Sequence, residues 1–84
     1  MIMAVDFEKL IKNMIMPLVV NPDDVLVKIL SSDEETITIQ LLVNEKDLGR
    51  VIGKGGKIAN AMRTIVYAGA SKEGKRVQID IDSF

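Results

Sequence analysis

Residues 50–58 read Arg-Val-Ile-Gly-Lys-Gly-Gly-Lys-Ile, and this stretch limits the fold more tightly than any other in the chain. Three glycines within four positions break any regular element, because glycine favours turns and left-handed backbone over helix or strand interiors. Residues 45–52 before them and 57–69 after them nevertheless carry helical patterning. The chain must therefore make a turn of nearly bare backbone that opens directly into a helix. Amides at a helix start lack internal partners, and the macrodipole there favours an anion. Lys54 and Lys57 add positive charge, while no aspartate, histidine or cysteine lies within the stretch. It reads as a clamp for backbone phosphate and not as a site of bond chemistry.

Two nucleotide-binding templates also place lysine beside glycine, and both fail here. A Walker loop aligned on Gly56 and Lys57 needs glycine at Val51 and a hydroxyl at Ile58. A dinucleotide fingerprint starting at Gly53 needs its last glycine at Ile58. Each also needs a buried strand before the loop, where this chain shows a helical segment. What remains is Gly53-Lys54-Gly55-Gly56, a Gly-x-x-Gly turn between two helices. That is the arrangement by which KH domains hold single-stranded nucleic-acid backbone.

Charge supports the same reading once it is resolved along the chain. The net charge is only −1, yet between Lys46 and Arg76 eight cations face two acids, a balance of +6. The remainder carries three cations against ten acids, or −7. One basic surface beside an acidic one is expected of a small nucleic-acid module. Eighty-four residues suffice for one domain, expected to span 1–84. Without cysteine or histidine, disulfides, thiolate metal sites and the commonest general base are excluded, and neither a cofactor nor a metal is expected. No apolar run approaches the roughly 20 residues of a membrane span. Asp6 and Glu8 stand where a signal peptide is basic, so the expected location is cytoplasmic.

Periodicity orders the remaining elements. Phe7, Leu10, Ile11, Met14, Ile15 and Leu18 form one helical stripe, with Asp6 as N-cap and Pro17 ending or kinking the helix. Val25, Val27 and Ile29 alternate, as do Ile37, Ile39, Leu41 and Val43, with a polar reversal at 31–35. These runs predict an antiparallel hairpin with one buried face. A short helix over 45–52, capped by Asn44, precedes the glycine turn. The helix after it is expected to bury Ile58, Ala61, Met62, Ile65 and Val66. Val77, Ile79 and Ile81 form a last strand. The expected fold is α+β in the order α-β-β-α-α-β, with three helices on one face of a three-stranded sheet.

That order, with Gly-x-x-Gly between the second and third helices, resembles the type II KH domain of prokaryotes over essentially the whole chain. Residues 51–57 resemble the KH core motif. Arg63-Thr64-Ile65-Val66 and the run Lys72-Glu73-Gly74-Lys75-Arg76-Val77 resemble the single-domain bacterial KhpA (YlqC-like) family. Ala59 departs from the bulky aliphatic of many KH domains and is compatible with that group. The resemblance implies an RNA-binding protein acting as an RNA chaperone or post-transcriptional regulator, not an enzyme. It also implies a homodimer and a heterodimer with a KhpB (Jag-like) protein, with links to cell-wall synthesis and cell length. No small-molecule substrate is implied.

The expected RNA site uses the amides of Gly53, Gly55 and Gly56 and the side chains of Lys54 and Lys57 for the sugar-phosphate backbone. Arg63 is placed to reach a neighbouring phosphate or base edge. Val51, Ile52 and Ile58, with Ile39 and Leu41 on the second strand, are the candidate apolar groove. Phe7, Tyr67 and Phe84 are the only aromatics, so a stacking platform is not expected. A second reading makes the chain a protein-interaction subunit, with the same fold holding a partner.

Overall fold

The computed structural model describes residues 6–84. Helix α1 (Phe7–Ile15) begins at Asp6, whose carboxylate accepts from the Lys9 amide. It gives way at Met16 to a 3₁₀ turn, Met16–Leu18, containing Pro17. The proline thus ends the α-helix where its ring disfavours a continuing turn. Phe7, Ile11 and Ile15 are buried, and Leu10 and Met14 pack beside them.

Strand β1 (Val25–Ser32) pairs antiparallel with β2 (Thr36–Val43). Asp33 sets the reversal, its carboxylate accepting from the amides of Glu35 and Thr36 at 2.8 and 2.7 Å. β3 (Arg76–Ser83) pairs parallel with β2, giving a mixed sheet in the order β1-β2-β3. A parallel neighbour needs a long crossover, and α2 (Glu45–Ile52) and α3 (Lys57–Lys72) supply it. The order α-β-β-α-α-β is that of the type II KH fold.

Alternation dictates which faces meet. Ile37, Ile39, Leu41 and Val43 all point to the core, with Val77 and Ile79 on β3. On β1 the pattern fails at Ile29, which is 41% exposed. A bulge between Ile29 and Ser31 turns the end of this edge strand off the core.

The third helix also differs from expectation. It runs to Lys72 and buries Ala59, Met62, Val66 and Ala70, while Ile65 is 52% exposed. The buried face is rotated because alanines at 59 and 70 let the helix lie close against its neighbours. Its end is a Schellman closure: Lys75 N–H donates to Ala70 O and Gly74 N–H to Ser71 O. Among the described residues, no helix is long and apolar enough to cross a membrane.

Candidate nucleic-acid interface

α2 starts at Asn44, whose side chain accepts from the Lys46 amide, and stops at Gly53. Gly53 has φ 77° and ψ 169°, an open region to glycine and hardly to any other residue. A Cβ there would lie 2.7 Å from the Ile58 side chain. Space and conformation therefore impose the same residue. Lys54–Gly56 follow as a single tight turn interrupted by Gly55, at φ 65° and ψ 19°. Gly56, again left-handed, caps α3 without any side-chain hydrogen bond.

The amides of this turn divide into two classes. Gly53 N–H donates to Gly49 O at 2.9 Å, Gly56 N–H to Gly53 O at 3.1 Å, and Lys57 N–H to Lys54 O. These bonds hold the turn's shape and remove those amides from binding. Among the described residues, none accepts a hydrogen bond from the amides of Lys54 and Gly55. Of the donors expected from the glycine run, two adjacent amides at the tip remain available. Lys54 and Lys57 are both exposed beside them. The single ion pair among the described residues joins Arg50 to Asp47, leaving both loop lysines unneutralised.

The remaining expected site residues separate by burial. Ile52 and Ile58 are half-buried next to the glycines. Val51, Ile39 and Leu41 have no exposed surface. They are core, and no ligand reaches them in this conformation. The reason is topological: β2 is the central strand and the helices cover its inward face. The edge strand against which α2 and α3 pack is β3. Arg63 lies along that edge, its guanidinium 3.5 Å from both Ile79 O and Asn60 Oδ1. Those contacts sit at the limit of hydrogen bonding, so the guanidinium is held loosely. β3 thus borders the turn where the expected RNA site had placed β2, and Ile39 and Leu41 are buried as strand alternation alone predicts.

Asp47 is a buried support of this region that sequence reasoning missed. It is a charged residue only 1% exposed. Its carboxylate accepts from the amides of Val20 and Asn21 at 3.0 and 2.9 Å and from the Asn21 side chain at 3.2 Å. Arg50 approaches to 3.7 Å. The Val20 amide is the largest cause holding its carboxyl below the usual range, with burial opposing and Asn21 and Arg50 assisting. This residue ties the α1–β1 connection to the helix that carries the glycine turn. One signal was available: Asp47 stands four residues before Val51, on the inward face of α2.

A mixed three-stranded sheet, three helices and a Gly-x-x-Gly turn with free tip amides define a KH domain of the prokaryotic type. The family described as KhpA/KhpB, KH domain matches residues 8–81, and the chain belongs to it. Among curated relatives, RNA-binding protein KhpA of Listeria monocytogenes is 46% identical over 77 residues, covering 88% of this chain and 96% of that protein. RNA-binding protein KhpA of Caldanaerobacter subterraneus is 47% identical over 73 residues, 87% and 96% of the two chains. Its Bacillus subtilis counterpart is 42% identical over 74 residues, 88% and 90%.

Proposed function

We propose that this chain binds single-stranded RNA, with the tip amides of Lys54 and Gly55 and the ammonium groups of Lys54 and Lys57 holding the sugar-phosphate backbone. The pair of free amides flanked by unneutralised lysines carries this reading, because adjacent N–H donors with cations beside them suit the oxygens of polymer phosphate. The names of the relatives agree with it. Ile52 and Ile58 supply the apolar surface beside the clamp, and Arg63 a loosely held guanidinium along β3. With only three aromatics in the chain and Phe7 buried in the core, affinity per domain is modest and base preference weak.

Weak single sites gain from pairing, which raises effective concentration without new contacts. The chain then works as an RNA chaperone or post-transcriptional regulator in the cytoplasm, paired with itself and with a KhpB (Jag-like) protein. The joint KhpA/KhpB scope of the family supports that partner. A role in cell-wall synthesis and cell length follows from the same resemblance. The second reading, an interaction subunit, is favoured by Ile65 and Tyr67, 52% and 43% exposed on α3.

The test is Lys54→Asp with Gly55→Asp. A Cβ at Gly55 meets nothing within 4 Å, and aspartate tolerates the left-handed region, so the fold survives. Loss of RNA crosslinking with association retained supports the RNA reading. Loss of association with RNA crosslinking retained supports the interaction subunit.

A further inference from the structure

The helices pack on the inward face of the sheet, with the core between, and among the described residues none covers the outward face. The pairing registers set what that face presents. Leu26, Leu42 and Asp82 stand side by side across β1, β2 and β3, and Lys28, Gln40 and Asp80 form the next row. Leu26 is 42% exposed, Leu42 is half-buried, and both aspartates are exposed. Phe84 continues the alternation one step beyond Asp82; its amide donates to Val43 O, and the residue is exposed. Leucines paired across strands on the outward side of an otherwise polar face mark a surface suited to a partner.

Charge around the face decides which partner. Asp23 and Asp24 precede β1 at one end, and Asp33, Glu34 and Glu35 form the hairpin tip at the other, all exposed. With Asp80 and Asp82 these make seven acids, against Lys28 and Arg76 as outward cations. A polyanion or an anionic lipid surface is repelled, and a second copy would bring two acidic surfaces together. Strand addition along β1 is opposed by the bulge after Ile29 and by Lys28, both of which blunt a sheet edge. Shape favours a helix instead. Two strand spacings make the face about 10 Å wide, and strands of eight residues make it about 26 Å long. One α-helix of about 10 Å diameter and roughly 18 residues covers it.

We propose that the outward sheet face docks a basic amphipathic helix of a protein partner, its apolar stripe on Leu26 and Leu42 and its cations beside Asp80 and Asp82. This goes beyond the RNA-binding reading and does not depend on it. The glycine turn joins helices on the other side of the sheet, so docking here leaves Lys54 and Lys57 open. One small domain then holds a polyanion by one surface and a cationic protein segment by another.

The probe is a synthetic helical peptide of about 18 residues, with leucines on one face and lysines on its flanks. Its controls are the same peptide with glutamate for lysine, and a scrambled peptide of identical composition without an apolar face. Each is titrated at low salt into wild type, Leu26→Ser and Asp80→Asn/Asp82→Asn, followed by amide-resolved NMR, with RNA affinity and sedimentation measured alongside. The basic amphipathic peptide should bind wild type and shift the amides of Leu26, Leu42, Asp80 and Asp82 most. Both variants should bind it roughly tenfold more weakly, with RNA affinity not reduced and self-association unchanged. The two control peptides should bind wild type at least about tenfold more weakly than the probe. Failure of the probe to bind, equal binding of the scrambled peptide, or shifts confined to Ile65 and Tyr67 overturns the proposal. Loss of self-association in Leu26→Ser reassigns the face to a second copy, and a fall in RNA affinity reassigns it to RNA; either result sinks the proposal. Should Leu26→Ser not fold, the aspartate variant, which removes only exposed charge, decides alone: undiminished affinity for the probe there is a refutation.

Discussion

Gly53 bears two independent constraints, a φ of 77° and the Ile58 side chain 2.7 Å from where a Cβ would sit. Gly55 bears only the first. Gly53→Ala should therefore cost about 1–3 kcal/mol in urea unfolding, from strain and overlap together. Gly55→Asn should cost less than Gly53→Ala, since asparagine visits the left-handed region readily and meets no neighbour. Asp47 makes a different prediction. Its folded pKa lies below the unfolded value of about 3.9. The stability it contributes is complete above that value and is lost as pH falls through the folded pKa. Melting by circular dichroism should show Asp47→Asn less stable than wild type at neutral pH, with a shallower decline on acidification below about pH 4. Asp33, lowered chiefly by the Thr36 amide and then by that of Glu35, retains its own share of the decline in that variant.

At the scale of elements, β2 follows its alternation into the core, and β3 takes the bordering place that the expected RNA site had given β2. Ile39 is fully buried in the central strand and belongs to the core. Ile39→Val should therefore cost about 0.5–1.5 kcal/mol in denaturant unfolding while leaving RNA affinity unchanged. Ile58→Ala, at the half-buried edge of the glycine turn, should weaken RNA binding while the protein stays folded, read by RNA titration beside the same unfolding curve. The element order was legible in the residues because each segment's period is strong: 3.6 from Phe7 to Ile15, 2 from Ile37 to Val43. Asp6 and Asn44 announced their caps through side-chain chemistry alone. Strand order was not legible, since a parallel return of β3 alongside β2 depends on the crossover and leaves no period of its own. The inward face of α3 was misjudged for a related reason. Large aliphatics such as Ile65 look like core in one dimension, whereas close helix packing selects Ala59 and Ala70. The internal bonding of the glycine turn was equally invisible, because it depends on dihedral angles that glycine leaves open.

For the whole molecule, the charge balance of +6 over residues 46–76 and −7 elsewhere matters more than the net of −1. The positive part includes the glycine turn, where Lys54 and Lys57 are exposed, so a polyanion is drawn towards the turn. RNA affinity should fall with salt at a log–log slope of about −0.7 per phosphate contacted. Replacing both Lys54 and Lys57 by glutamine should reduce that slope by about 1.4, read from fluorescence titrations across a salt series. The central claim concerns two backbone donors, and amide-resolved NMR during titration with single-stranded RNA addresses them individually. The account predicts that the Lys54 and Gly55 amides shift most, downfield as they acquire acceptors, while Gly53 and Gly56 keep their internal bonds and move less. Large shifts confined to Ile65, Tyr67 and their neighbours, with the Lys54 and Gly55 amides unmoved at saturating RNA, would contradict it.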